Sequence, residues 1–240
     1  MIIYPAIDIQ NGVCVRLKQG DFNEVTEFNH DVLDQAKQFE QAGFKWLHIV
    51  DLDGARKGKP VNMEIIKKVI EQTTLKVQIG GGIRDLEVIS EYINMGAARV
   101  ILGTAAIKNM SLVKEACLTH PGKIAVGLDA RGNRVAVSGW QEETDVFVFD
   151  LISEYETLGV STIIYTDINR DGLLSGIDEE GTNEIARTVS LPIIASGGVS
   201  SLADLVKVKE LEENGVAGVI VGRAFYEGKI SYADALKLQY

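Results

Sequence analysis

Lys76-Val77-Gln78-Ile79-Gly80-Gly81-Gly82-Ile83-Arg84 and Pro192-Ile193-Ile194-Ala195-Ser196-Gly197-Gly198-Val199 are two copies of one pattern: a short apolar run, a glycine pair, then an apolar residue opening the next segment. The Gly81-Gly82 and Gly197-Gly198 pairs lie 116 residues apart, as do Asp51 and Asp167; Asp8 and Asp129 are 121 apart, and Gly103 and Gly222 are 119 apart. Each of these positions closes an apolar run, and their order is the same in both halves of the chain. Matched offsets in one order imply a duplicated (β/α)4 unit. Two such units make a (β/α)8 TIM barrel, and an open doubly wound sheet does not account for the doubling as well.

Working outward from the glycine pairs, eight short apolar runs are expected as strands: Ile2–Ile9, Trp46–Leu52, Lys76–Ile79, Arg99–Leu102, Ile124–Leu128, Thr162–Thr166, Pro192–Ala195 and Gly218–Val221. Most are unbroken Val/Ile/Leu/Ala runs, as parallel strands covered on both faces require. Helical periodicity fills the intervals. Asp31, Asn62, Asp85, Ser111, Asp145 and Ser201 are expected to open helices, and Gly43, Gly96 and Gly159 to close them. Strand and helix in strict alternation argue for parallel βαβ units in a single domain spanning residues 1–240. The length of 240 residues matches one barrel, typically ~250.

Composition narrows the function. The net charge of −10 disfavours nucleic acid and anionic membranes, but a small phosphorylated ligand can be held by backbone N–H groups at helix N-termini. No apolar run approaches the ~20 residues of a membrane span, and the opening Met1-Ile2-Ile3-Tyr4-Pro5 lacks a basic leader region, so a cytoplasmic protein, acting as a monomer, is expected. Cys14 and Cys117 are expected as buried thiols. The scattered His30, His48 and His120 form no metal signature, and no cofactor motif is present.

In a (β/α)8 barrel the active site lies where the strands end. Asp8 and Asp129 end the first and fifth expected strands, diametrically opposite in an eight-membered ring, which suits a general acid and a general base acting on opposite faces of a sugar. Gly81, Gly82, Gly103 and Thr104 in one half, and Gly197, Gly198, Gly222 and Arg223 in the other, are candidate phosphate sites, because glycine admits a phosphate close to the backbone. A substrate with a phosphate at each end is therefore expected. Arg84 follows the first glycine cluster and is a second candidate phosphate ligand. His48 lies within a strand near the mouth. Trp140, past the fifth strand in Val137-Ser138-Gly139-Trp140, is a candidate lid residue for a planar ring. Thr166 and Asp171 flank Asp167, and Asp171 is a third carboxyl able to reach the ligand when its loop closes.

These residues fall in segments that carry a resemblance. Tyr4-Pro5-Ala6-Ile7-Asp8-Ile9 with Asn11-Gly12 and Val15-Arg16-Leu17, His48-Ile49-Val50-Asp51-Leu52-Asp53-Gly54-Ala55, Gln78-Ile79-Gly80-Gly81-Gly82-Ile83-Arg84, Gly127-Leu128-Asp129-Ala130-Arg131, Ser138-Gly139-Trp140, Thr166-Asp167-Ile168, Arg170-Asp171-Gly172 and Ala195-Ser196-Gly197-Gly198-Val199 resemble the ProFAR isomerase family of histidine biosynthesis over essentially the whole chain. The resemblance implies a cofactor-free Amadori rearrangement of an aminoaldose to an aminoketose, with Asp8 as base and Asp129 as acid. It departs from the family pattern at Leu173-Leu174, where Thr is frequent, and at Arg223, where Lys is common. The sister cyclase family has a lysine just after its first strand, where this chain has Val15-Arg16-Leu17. An isomerase that also accepts phosphoribosylanthranilate is compatible with the same residues. A non-catalytic phosphosugar-binding barrel would share the glycine loops, but retention of both opposed carboxyls argues against it.

Overall fold

The computed structural model describes residues 1–132, 134–137, 140 and 142–239. Eight parallel strands close into a ring: β1 (Ile2–Gln10), β2 (Trp46–Asp51), β3 (Lys76–Gly80), β4 (Arg99–Leu102), β5 (Ile124–Arg131), β6 (Thr162–Asp167), β7 (Ile193–Ser196) and β8 (Val216–Val221). Each pairs with the next, and β8 returns to β1 with Ile2 opposite Gly218 and Pro5 opposite Val221. With helices between the strands, this is the expected (β/α)8 TIM barrel.

Two-residue alternation sorts every strand between two cores. On β1, Ile3, Ile7 and Ile9 face the surrounding helices and are fully buried. Tyr4 and Ala6 turn inward and join Ile101, Ala125, Ile164, Ile194 and Ile220 in a separate cluster that fills the lumen. Small Ala6 and Ala125, from opposite strands, sit among isoleucines, so the barrel is a packed core rather than a pore. Below it Trp46 closes the floor, with the Arg99 guanidinium 4.8 Å above its ring.

Several helix ends fall where expected. Asp31 accepts from the N–H groups of Leu33 and Asp34, Asp85 accepts from Val88 N–H, and Gly43, Gly96 and Gly159 close their helices in the left-handed conformation. Asn62 precedes the helix Met63–Gln72 as expected but makes no capping bond, because its amide is committed to Asp51 and Asp53. Two expected starts are corrected. Asn109, not Ser111, caps the helix Met110–Thr119. Asp145 lies in a strand, paired with Arg134, and its helix begins only at Val148.

Two antiparallel excursions were not expected. Val13–Lys18 and Asp21–Asn29 form a hairpin on the end of β1, and Arg134–Val137 with Glu142–Phe147 extends β5. Much of the second hairpin strand is exposed, so it carries no apolar signature. Both stand at the C-terminal mouth.

The half-barrel repeat extends to the backbone. Gly103 has φ −97° and ψ −107°, and Gly222 has φ −103° and ψ −105°; each starts a short helix. Gly81 and Gly197 have φ +108° and +90°, and Gly82 and Gly198 have +75° and +87°. A side chain at Gly81 would strike the Asp51 carbonyl, and one at Gly197 the Asp167 carbonyl; at Gly82 and Gly198 the obstacles are the carbonyls of Gly54 and Gly176. Only glycine fits both the dihedral and the space.

Candidate active site

The alternation that builds the core also selects the site. Asp8 and Asp129 fall on the inward register of β1 and β5 and line the mouth, together with His48, Gly80, Gly103, Gly127, Thr166, Ser196 and Gly222. They surround a cavity of about 270 Å³. Asp51 and Asp167 fall on the outward register and do not line it. Asp51 is fully buried and accepts from Gly54 N–H, Val61 N–H, Asn62 N–H and the Asn62 amide. Asp167 accepts from Asn169 N–H and from Arg170. Both therefore hold loops.

Asp8 has a partner that the sequence reading did not assign to the site. Arg16, on the first hairpin strand, donates to Asp8 Oδ2 at 2.7 Å and also to the Ala6 carbonyl. The ring of Tyr226 lies 5.3 Å from the guanidinium, and the Tyr226 hydroxyl donates to the same Ala6 carbonyl at 3.0 Å. A Cβ at Gly222 would come within 2.7 Å of Arg16 Cζ, so that glycine also makes room for the cation. Burial pushes the Asp8 carboxyl above its usual range, while Arg16 favours its ionised form. The sequence signal for Arg16 was its place in an apolar alternation, Val13, Val15 and Leu17; the pairing itself needed the hairpin.

Across the mouth, Trp140 donates its indole N–H to Asp129 Oδ2 at 2.7 Å. Trp140 is only partly buried and has φ +70°, a left-handed conformation that a bulky residue adopts only when its surroundings hold it there. Thr166 faces Asp129 across β5 and β6. Burial raises the Asp129 carboxyl, and the bonds from Trp140 and Thr166 oppose the rise. Ser138 and Gly139, part of the motif around Trp140, lie outside the described residues.

Asp171 comes from the loop after β6 and lines the same mouth. Burial and the negative charge of Asp8, with a smaller contribution from Asp129, push its carboxyl up to about 7 against the pull of Arg16 and Arg223. Three carboxyls thus share one low-dielectric site, burial raises all of them, and Asp171 is the one carried on a loop. His48 is 3.0 Å from the Gln78 amide through Nδ1. Burial, then the cations Arg16 and Arg99, hold it down at about 3, so it is a neutral imidazole at neutral pH.

The glycine clusters flank these groups. Gly81, Gly82, Arg84, Gly103 and Thr104 line one side of the mouth, and Gly197, Gly198, Gly222 and Arg223 the other. The Arg84 side chain is exposed and lies against Gly58, where a Cβ would be 2.5 Å from its Cζ. The cationic residue sits at different places in the two copies: Arg84 after the first glycine pair, Arg223 after β8. All the expected site residues therefore meet at one mouth, joined by Arg16, Phe22, Leu174 and Ser196, which the sequence reading did not select. Among the described residues no three His, Cys, Asp or Glu side chains are placed to hold a metal ion.

A family model described as "Histidine biosynthesis protein" matches residues 2–231. Over 238 residues the chain is 50% identical to the 1-(5-phosphoribosyl)-5-((5-phosphoribosylamino)methylideneamino)imidazole-4-carboxamide isomerase of Azospirillum brasilense, covering 99% of this chain and 94% of that relative. The isomerases of the same name from Rhodospirillum centenum and Parvibaculum lavamentivorans are 50% and 49% identical, each over 99% of this chain and 96% and 98% of their own lengths.

Proposed function

The chain belongs to the histidine biosynthesis protein family, and from that premise we propose that it is the isomerase its relatives are named for, converting the aminoaldose ProFAR to the corresponding aminoketose by an Amadori rearrangement. The observation that carries this reading is the placing of Asp8, Asp129 and Asp171 in one mouth between two matched glycine cradles. Two phosphates hold the substrate at its ends, and the carboxyls work on the sugar between them.

Asp171 protonates the ring oxygen. The bond from that oxygen to C1 breaks, and the nitrogen lone pair forms a C1=N iminium. Asp8 then removes the C2 proton, and the released electron pair makes an enolamine. Its hydroxyl proton is lost as C1 gains one, leaving the ketone. An acid at work near neutral pH needs a carboxyl that still holds its proton there, and a value of about 7 supports Asp171 for that role. The resemblance puts the acid at Asp129. Held by the Trp140 indole and facing Thr166 on the neighbouring strand, Asp129 is fixed opposite Asp8 as a polar partner for the cationic iminium. Arg16 opposes the effect of burial on Asp8, favouring its ionised form, and holds the carboxyl turned into the mouth.

The reacting ribose belongs on the β7–β8 side. Arg16 packs against Gly222, and Arg223 acts electrostatically on Asp171, so the cradle of Gly197, Gly198, Gly222 and Arg223 is the one beside the base and the acid. The other phosphate takes Gly81, Gly82, Thr104 and Arg84, and Trp140 covers the planar imidazole between them. The reading includes a cofactor-free cytoplasmic monomer. No helix among the described residues is long and apolar enough to cross a membrane. Incubation with ProFAR, followed by ultraviolet absorbance and by chromatographic separation of the isomeric product, tests the activity. Absence of conversion by the folded protein overturns it.

A further inference from the structure

The hairpin that supplies Arg16 also carries a contact that the reaction chemistry does not use. Its tip, Gln19-Gly20, has φ +49° and +70° and touches two different loops. Toward the loop after β6, Gln19 N–H donates to the Asp171 carbonyl at 3.1 Å, and the Gln19 side-chain amide donates to the Asn169 carbonyl at 3.1 Å. Gly172 in that loop lies so close that a Cβ would be 2.5 Å from the Leu17 carbonyl. Toward the β5 excursion, the face of Gly20 is covered by the six-membered ring of Trp140, which would overlap any side chain there. Trp140 in turn bonds Asp129.

We infer that Gln19 and Gly20 are positioning residues: the hairpin tip is a common seat that sets Asp171 and the Trp140–Asp129 pair together, so the two loops take up their working arrangement as one unit. Neither residue touches the reacting atoms. Gln19 acts through the backbone on both sides of Arg170-Asp171, and Gly20 acts through the plane of an indole. The chain reaches this seat from β1, the strand that carries Asp8, so the base, the third carboxyl and the indole are referred to one piece of backbone. Misplacing a reacting group by about 1 Å is enough to cost on the order of 10²-fold in rate. The inference rests on the isomerase reading for its kinetic arm and not for its structural arm.

The discriminating variant is Gln19→Glu, which keeps the length and replaces the side-chain donor with a carboxylate that the Asn169 carbonyl repels. Gln19 is exposed, so the variant is expected to fold, and its thermal midpoint verifies that. The Gln19 side chain bonds the β6 loop, so a shared seat makes a specific demand: the Trp140 indole N–H resonance, assigned with Trp140→Phe, must move in Gln19→Glu. With ProFAR, kcat should fall about tenfold or more, while KM changes less because both glycine cradles are untouched. Gly20→Ala, acting from the indole side, should produce the same split. An unmoved indole resonance in Gln19→Glu, or a loss confined to KM in both variants, overturns the seat. If the wild-type protein leaves ProFAR unchanged, the isomerase reading fails, and the indole resonance still decides the seat by itself.

Discussion

Asp8, Asp129 and Asp171 differ in what each is bonded to, and that difference can be measured. Asp8→Asn keeps size and polarity and removes the base, so turnover should drop by roughly 10²–10⁴-fold in a folded protein that still binds substrate. The acid is identified by pH. Asp171 with a value of about 7 gives an activity that declines as pH rises through neutrality. Asp129→Asn should keep that basic limb, and Asp171→Asn should lose both the limb and most of the turnover. The reverse pattern returns the acid to Asp129. The same carboxyl makes a stability prediction. In the unfolded chain it titrates near ~3.9, so between that value and about 7 the native state holds the extra proton and stability falls as pH rises. Asp171→Asn removes the ionisation. Its thermal midpoint should exceed that of the wild type at pH ~8, with the difference vanishing at pH ~3. A gain no larger at the higher pH contradicts the placement of Asp171 in a buried acidic cluster.

At the level of strand and loop, the decisive fact is which face a strand-end residue occupies. Asp51 and Asp167 resemble Asp8 and Asp129 in sequence, since all four close an apolar run. One residue of register separates a group that meets substrate from one that ties down a loop. Asp51→Ala therefore has the opposite signature to Asp8→Asn. It orphans the Gly54, Val61 and Asn62 N–H donors and the Asn62 amide, and unsatisfied buried donors cost about 1–3 kcal/mol each before relaxation. A loss of roughly 3 kcal/mol in denaturant unfolding is expected, with kcat of the remaining folded protein nearly unchanged. A stable but inactive Asp51→Ala would place Asp51 in the chemistry instead. The glycine loops make a second prediction at this scale. Gly198 has φ +87° and the Gly176 carbonyl directly against its face, so Gly198→Val should both destabilise the fold and raise KM by disturbing close backbone approach. An unchanged KM would remove this loop from phosphate binding.

Over the whole molecule, two copies of one half-barrel surround one site, and the prediction that belongs here is binding of two anions. Crystals soaked in phosphate should show one ion near Gly82 and Thr104 and another near Gly198 and Arg223; density at one cradle alone, with side chains filling the other, contradicts the duplication as a functional device. With a net charge of −10, the attraction must come from the loops themselves, through backbone N–H groups and one arginine on each side. The sequence by itself determined the barrel, the repeat and the glycines and carboxyls at the mouth, though not Arg16. Those follow from local rules: parallel strands buried on both faces are unbroken apolar runs, and a positive φ pressed against a neighbouring carbonyl admits only glycine. It left the two antiparallel excursions unread, because Asp21–Asn29 is largely exposed and has no apolar periodicity to betray it. Tertiary structure decided what the excursions bring. Arg16 meets Asp8 only when the hairpin folds back on β1, and Trp140 meets Asp129 only when the β5 ribbon turns inward. The carboxyl of Asp171 rises to about 7 only because burial, Asp8 and Asp129 act on it together. Proton affinity depends on desolvation and on charges a few ångströms away through space, and neither quantity is written in the order of residues along a chain.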